Sequence, residues 1–361
     1  MSNNSAQKTV FVGMSGGVDS SVSAYLLKKA GYNVVGVFIQ VWQPEGFPCT
    51  AKEDRLDAMR VAAQLEIPFL TLDLEKEYKE GVIDYMLEEY KKGNTPNPDV
   101  MCNREVKFGA FLRWACAHGA DFVATGHYAQ VTHTKNESKI LTSVDTEKDQ
   151  TYFLWTLTQD QIRHILFPIG HLKKSEVRVI AEKEGLYTAP KKDSQGLCFV
   201  GTISFKDLLK LELKPEKGNI LNKEGEIVGV HDGAILYTKG ERHGFTITKK
   251  SPHDEKLFII DRDIEKNTIT VSTQKPESNE DLLTNIITIK NYSCTRITFT
   301  AGQKCLVRLR YRAQLFPCAI SEVTTDTVTI QTEALVSITE GQSAVLYSVD
   351  NTELYGGGII T

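Results

Sequence analysis

Eight residues near the start, Gly13-Met14-Ser15-Gly16-Gly17-Val18-Asp19-Ser20, stand between an apolar run and an amphipathic one. Glycines let a backbone turn tightly and approach a ligand closely. Successive N–H groups leading into the positive end of a helix form a seat for an anion. Ser15, Ser20 and Ser21 add hydroxyl donors. The loop ends in Asp-Ser with no lysine, so it is not a Walker A loop, and the GxGxxG fingerprint is absent. The chemistry it points to is phosphate binding. A bare glycine turn without a ligand is the plainer alternative, but strand–SGGxDS–helix at a first βα turn rarely arises by accident.

Two cysteines stand in settings that favour thiolate. Asn97-Pro98-Asp99-Val100-Met101-Cys102 reads as a helix start, with Asn as the cap and Pro at the first helical position. Cys102 then falls in the first turns, where the helix dipole, Arg104 and Lys107 favour its anion. Asp99 lies three residues earlier on the same face; it opposes that shift but could handle protons. A small buried residue is the other reading of Cys102. Cys198 follows Lys191, Lys192 and a Ser194-Gln195-Gly196 turn, an exposed and electropositive setting suited to a thiolate, with a structural cysteine as the other reading. Cys116, Cys294, Cys305 and Cys318 read as core residues, and Cys49, in a Pro-rich loop, is undecided. Seven cysteines without a CxxC pair argue against a secreted disulfide framework and against a zinc site.

The elements that must hold these residues follow from hydrophobic period. Thr9–Val12 reads as a buried strand, and Val34–Val41, Phe69–Leu72 and Phe122–Thr125 read as strands. Helical patterns run through Val18, Val22, Tyr25 and Leu26 to a stop at Gly31, then over Glu53–Leu65, Lys76–Lys91 and Val106–His118. That alternation implies an α/β domain, a doubly wound parallel sheet. From Leu257 onward short β-branched runs alternate with turns: Leu257–Ile260, Thr268–Val271, Leu306–Tyr311, Thr327–Ile330 and Ala344–Tyr347. They suggest a small mixed domain and then a β-barrel. The expected domains are residues 1–204, 205–273 and 274–361. At 361 residues the chain exceeds the roughly 250–300 that one hydrophobic core usually serves. Its 41% hydrophobic and 24% charged residues exclude disordered and coiled-coil classes. No apolar run approaches the roughly 20 residues of a membrane span, and the polar N-terminus is no signal peptide, so a cytoplasmic protein is expected. The net charge of −4 decides nothing about nucleic acid, because a basic strip can lie on an acidic whole.

SGGVDS resembles the PP-loop of the N-type ATP pyrophosphatases. That resemblance implies cleavage of ATP between its α and β phosphates, an adenylated intermediate, and a magnesium ion held largely by phosphate. An adenylating loop together with two reactive cysteines suggests exchange of oxygen for sulfur: the adenylate leaves as AMP and a persulfide sulfur takes its place. The wider set GMSGGVDSSVSAYLL, TPNPDVMCNREVKFGAF, ATGHYA, KDQTYFLWTL, KKDSQGLCFVG, RYRAQLFPC, GQSAVLY and GGGII resembles the bacterial tRNA-specific 2-thiouridylase family over nearly the whole chain. By that resemblance Gly13 to Ser20 (Gly13, Met14, Ser15, Gly16, Gly17, Val18, Asp19 and Ser20), with Ile39 and Gly126, bind ATP. Asn97, Pro98 and Asp99 meet the target base, and Lys148, Asp149, Gln150, His127, Arg310, Tyr311 and Gln342 contact tRNA. Cys198 carries a persulfide. Cys102 is the second catalytic cysteine, forming a disulfide with Cys198 or releasing its sulfur. The donor is a persulfide from another protein, such as a cysteine desulfurase or a relay carrier. Ile39 replaces the usual Met, and Ser194-Gln195-Gly196 the usual Ser-Thr-Gly. The block Tyr237–Gly244 departs from the family, so no RNA contact is assigned there.

One segment carries independent support for RNA. Read as a strand, Lys304–Ala313 places Lys304, Arg308, Arg310 and Arg312 on one face and apolar residues on the other. Five basic residues and no acid lie between Arg296 and Arg312. Arginines in a row suit phosphate oxygens, and Tyr311 offers an aromatic face; a solvated outer face of a barrel is the alternative. Modifying a single base requires drawing it from its stack, at lower cost in a loop, which favours an anticodon loop; the resemblance implies its wobble uridine as the target. Two rivals are an adenylating ligase for a small molecule and a non-catalytic RNA-binding protein. The first needs no cysteine pair and no basic barrel; the second would release no pyrophosphate.

Overall fold

Val10, Phe11 and Val12 are all buried although successive strand residues point to opposite faces, so the sheet they belong to is covered on both sides. The computed structural model describes residues 7–46, 50–192, 205–248, 255–275, 278–280 and 283–361. Cys49 and Cys198 lie outside the described residues.

The first domain runs β1 (Thr9–Gly13), α1 (Val18–Lys29), β2 (Asn33–Gln40), α2 (Ala51–Gln64) and β3 (Phe69–Asp73). α1 stops where Ala30 caps it and Gly31 takes φ +88°, the left-handed turn that glycine adopts without strain. Next, α3 (Glu75–Tyr78) continues through a π-type stretch, Lys79–Asp84, into α4 (Tyr85–Lys91). In the same way α5 (Pro98–Met101) continues through Cys102–Phe111 into α6 (Leu112–Ala117). The helix start expected at Asn97–Pro98 and the helix expected over Val106–His118 are therefore one continuous run. Wide turns blur the 3.6-residue period over 102–111, which hid the continuity.

β4 (Phe122–Ala124), the hairpin β5 (Gln130–His133) and β6 (Ser138–Leu141), α7 (Gln159–Ile162), β7 (Ile165–Leu166) and α8 (Lys174–Lys183) complete the domain. Among the described residues the sheet order is β3-β2-β1-β4-β7, all parallel. The winding reverses between β1 and β4, and in open α/β sheets ligands bind beyond the strand ends at such a switch. The expected doubly wound sheet is therefore observed.

α9 (Phe205–Leu213) leads into a mixed sheet of β8 (Gly218–Leu221), β9 (Ile227–His231), β10 (Thr246–Ile247), β11 (Phe258–Asp263) and β12 (Thr268–Ser272). β13 (Leu283–Cys294), β14 (Lys304–Arg308), β15 (Phe316–Val323), β16 (Thr327–Ser337), β17 (Ser343–Tyr347) and β18 (Leu354–Ile360) close a barrel. Buried Tyr152 and Trp155 from the first domain bond to Ser343 of β17, at 2.9 Å through its carbonyl and 3.0 Å through its hydroxyl. One apolar core includes Trp155, Leu154, Val345, Tyr347 and Ile359, so it runs through both domains.

Three sequence readings need correction. The strand drawn over Lys304–Ala313 ends at Arg308; alternation persists to Arg310, and then the chain turns, with Ala313 N–H on the Arg310 carbonyl and Arg312 at φ +60°. Tyr311 consequently packs on Phe153, ring centres 4.5 Å apart, and not into the barrel. The run of bases is also less available than it reads. Arg296 is paired with Glu353 at 2.7 Å and Glu137 at 3.2 Å, and Arg308 lies over the Tyr347 ring. Lastly, Cys116 is exposed and not in the core, while Cys305 and Cys318 are buried as expected.

Candidate active site

The loop after β1 is held by its own side chains. Met14 N–H bonds the Val37 carbonyl at 2.8 Å, continuing the β1–β2 ladder one residue beyond the strand. Ser20 Oγ accepts from Ser15 N–H at 3.2 Å, and Ser21 Oγ donates to the Gly17 carbonyl at 2.8 Å. Gly16 has φ +74°, and a Cβ there would stand 2.3 Å from the Asp54 carbonyl oxygen of α2. Only glycine fits both conditions. Gly17 caps α1 with extended backbone and no side-chain bond, which leaves the first N–H groups of the helix to a ligand.

The loop after β4 closes the other side. A Cβ on Gly126 would lie 2.8 Å from Asp19 C and Ser20 N, so this glycine lets residues 125–127 rest on the start of α1. Asp19 accepts from Tyr128 Oη at 2.9 Å and from Lys174 Nζ at 2.7 Å. The structure thus brings Gly13–Ser20 and Gly126 together at the β1/β4 switch point. Ile39 is 4% exposed; its side chain sits in the core on the face away from α1.

The helical run Pro98–Ala117 acts as a ruler beside this loop. Asn97 caps it, its side-chain oxygen accepting from Val100 N–H at 3.3 Å, as the sequence implies. At the far end the Phe111 ring lies 3.6 Å from where a Gly13 Cβ would be. Cys102 is buried at 1% exposure between the two. Asn103, also buried, donates to the Phe153 carbonyl at 3.1 Å, and Tyr311 packs at a tilt against that Phe153. Phe108 faces His127, ring centres 5.7 Å apart.

His127 is enclosed by Phe108, Phe167 and Thr125, whose hydroxyl is 2.6 Å from its Nδ1. Burial, aided by Lys107, holds its pKa well below the ordinary histidine value, so the ring is neutral. Gln150 bonds the Tyr128 backbone twice, through Oε1 and through its own N–H, both at 2.9 Å. Asp149 turns inward, accepting from Thr151 N–H at 2.7 Å and Thr151 Oγ1 at 2.6 Å, and burial raises its pKa. Lys148 and Asp99 are partly exposed. His127 and Asp149 therefore position their neighbours in this conformation and present no charge to solvent.

The approach to Asn97 joins all three domains. Arg262 of β11 donates to the Gly93 and Tyr237 carbonyls and, at 3.1 Å, to Thr95 Oγ1. From the barrel, Gln342 donates to the Thr95 carbonyl at 2.8 Å, and Thr95 N–H bonds the Glu340 carbonyl at 2.9 Å. Arg310 reaches Thr339 Oγ1 at 2.6 Å in the same loop. Gln342 thus bonds the segment that leads into the Asn97 cap, and Arg310 bonds the barrel loop beside it, although more than 200 positions separate them from that segment in sequence. Arg262 was missed by sequence reading. A lone arginine in a charged strand, Asp261-Arg262-Asp263, carries no signal of its own.

Three family models match this chain in order: a tRNA methyl transferase HUP domain over residues 8–202, a tRNA methyl transferase PRC-barrel domain over 206–273, and an aminomethyltransferase beta-barrel domain over 284–360. Full-length relatives carry a different chemistry in their name. The tRNA-specific 2-thiouridylase MnmA of Lysinibacillus sphaericus is 46% identical, covering 98% of this chain and 94% of its own. The proteins of the same name from Enterococcus faecalis and Photorhabdus laumondii are 44% and 42% identical over 100% of this chain, and 96% and 98% of theirs. Among solved structures, the NMN synthetase of Francisella tularensis covers 59% of this chain and 80% of its own at TM-score 0.34 and 15% identity, too distant to bear on function.

Proposed function

The chain belongs to the tRNA-specific 2-thiouridylase family, and from that membership we propose the following division of labour for an ATP-dependent exchange of oxygen for sulfur at C2 of the wobble uridine in tRNA. ATP binds with its phosphates on Gly13–Ser20 and at the start of α1, where unpaired N–H groups and the helix dipole meet its charge. Ile39 supports the adenine from the core side, and Gly126 sets the far wall. A magnesium ion entering with ATP would be held largely by the phosphate oxygens. The C2 oxygen attacks the α phosphate, pyrophosphate leaves, and the adenylated oxygen becomes a group that departs as AMP. Sulfur arrives as a persulfide on Cys198, loaded by a donor protein, and Cys102 is the second thiol of the exchange. Asn97, Pro98 and Asp99 hold the base; Lys148, Gln150, Arg310, Tyr311 and Gln342 hold the surrounding RNA, with His127 and Asp149 fixing the loops behind them. Among the described residues no helix is long and apolar enough to cross a membrane; a cytoplasmic reaction, where tRNA is at hand, is part of this proposal.

The observation that carries this reading is the single helical run with the Asn97–Asp99 turn at its start, Cys102 a turn further on and Phe111 against the phosphate loop. That shared element supports a reading in which base, thiol and nucleotide are served by one run of chain. The test incubates tRNA with ATP and a persulfide donor and analyses nucleosides by mass. The wild-type chain should yield 2-thiouridine, AMP and pyrophosphate. Cys198→Ser should yield no 2-thiouridine while still binding tRNA; retained thiolation by that variant refutes the persulfide assignment. A methylated uridine as product would refute the reaction itself.

A further inference from the structure

Cys305 and Cys318 are opposed partners in the β14–β15 ladder, and their sulfurs lie 3.4 Å apart. They are 1% and 5% exposed, inside the barrel with Val307, Leu309 and Ile320. Cys318 Sγ is also 3.4 Å from the Cys305 carbonyl oxygen. A disulfide needs Cα atoms roughly 4.4–6.8 Å apart, and opposed residues of antiparallel strands stand roughly 4.5–5.5 Å apart. Side-chain rotation therefore suffices to join them, without moving the strands. The two thiols are not equivalent. The contact between the sulfurs holds the Cys305 thiol below its ordinary range, while the same contact and burial push up Cys318, which donates to the Cys305 carbonyl. One sulfur is set to act as nucleophile while the other keeps its proton.

We propose that Cys305 and Cys318 form a second dithiol site, separate from the thiolation machinery, that hydrogen peroxide or another small hydroperoxide converts to a disulfide at the neck of the hairpin bearing Arg310 and Tyr311. The Cys305 thiolate attacks one peroxide oxygen, the O–O bond breaks, and the departing hydroxide takes a proton to become water. Cys305 is then a sulfenic acid. Cys318 sulfur attacks the Cys305 sulfur, the S–O bond breaks, and the hydroxyl leaves with the Cys318 proton as a second water. Two thiols lose two electrons, and the peroxide gains them. Peroxide is close to water in size, so entry requires only local opening of the four-residue pairing between Lys304–Val307 and Phe316–Ala319. The bond closes a ring that contains the turn from Leu309 to Ala313, pinning its base.

The experiment treats the full chain with hydrogen peroxide, blocks remaining thiols by alkylation, and maps peptides by mass without reduction. The expected result is a peptide pair joined through Cys305 and Cys318, lighter by two hydrogens than its separate halves and released by a reductant. Cys318→Ser should lose the joined pair and carry the sulfinic acid on Cys305 instead. Exposed Cys116 reports whether the oxidant acted. Recovery of Cys305 and Cys318 both alkylated, or each oxidised separately, in a sample where Cys116 is oxidised overturns the proposal. The wild-type measurement decides alone should the variant fail to fold.

Discussion

His127 shows how far a side chain's surroundings can redirect its type. In sequence it is a polar residue in a Gly-His-Tyr turn; in the fold it is neutral, wedged between Phe108 and Phe167. Its folded pKa lies below the 6.5 of the unfolded chain, so between the two values the unfolded state binds the extra proton. Stability attached to this residue is complete above 6.5 and drains away as pH falls towards the folded value. Melting followed from about pH 7.5 to about pH 5 should therefore drop less steeply in His127→Gln than in the wild-type chain. Equal slopes would mean that the ring is not buried neutral. Phosphate-loop glycines belong at this scale as well. Gly16→Ala meets both a left-handed φ and the Asp54 carbonyl at 2.3 Å. Strain of this kind costs about 1–3 kcal/mol per residue, so ATP affinity should weaken by about ten-fold or more in equilibrium binding.

Among the elements, the run from Pro98 to Ala117 and the segment before it decide the site's geometry. Its start is fixed locally, by the Asn97 cap and Pro98. The direction from which the chain enters is fixed from outside, by Arg262 on one side and Gln342 on the other. Arg262 spans three acceptors with one planar guanidinium, a geometry that an ammonium cannot reproduce. Arg262→Lys keeps the charge and loses the span. Displacements of about 1 Å at a reacting centre can cost about a hundred-fold in rate, so thiolation at saturating tRNA should fall by roughly ten-fold or more. ATP binding, which depends on the first domain, should stay nearly unchanged. A parallel loss of both would reduce Arg262 to general stability.

At the scale of the whole molecule, the barrel and the first domain share a core through Trp155 and Tyr347, which makes the barrel a packed part of the fold and not a tethered module. Charge follows the same folding. Arg296 meets Glu137 and Glu353, drawn from positions 159 and 57 residues away, whereas Arg310 has a threonine partner. A side chain that neutralises a phosphate releases counterions; one already paired with carboxylates releases few. Arg310→Ala should weaken tRNA binding and flatten its dependence on log salt by about one unit, while Arg296→Ala should leave the slope nearly intact. Filter binding across a salt series measures both. The reverse ranking would place the RNA track elsewhere on the barrel.

What the sequence determined by itself is local. The phosphate loop, the Asn97 cap, the alternation of strand and helix and the short strands of the last domain are each written in neighbouring residues. Turn geometry, capping and hydrophobic period act over a few positions. What only the tertiary structure decided concerns residues whose role depends on distant partners. Arg262 reads as an ordinary strand charge until the Gly93–Thr95 segment lies against it. Arg308 looks like an outward cation until Tyr347 receives it. Tyr311 alternates inward on paper, but the chain turns after Arg310 and carries it onto Phe153. Cys305 and Cys318 are two scattered core thiols until the register of β14 and β15 sets them face to face. Pairings of this kind are fixed by which surfaces the packed domains bury together, and no short stretch of chain carries that information.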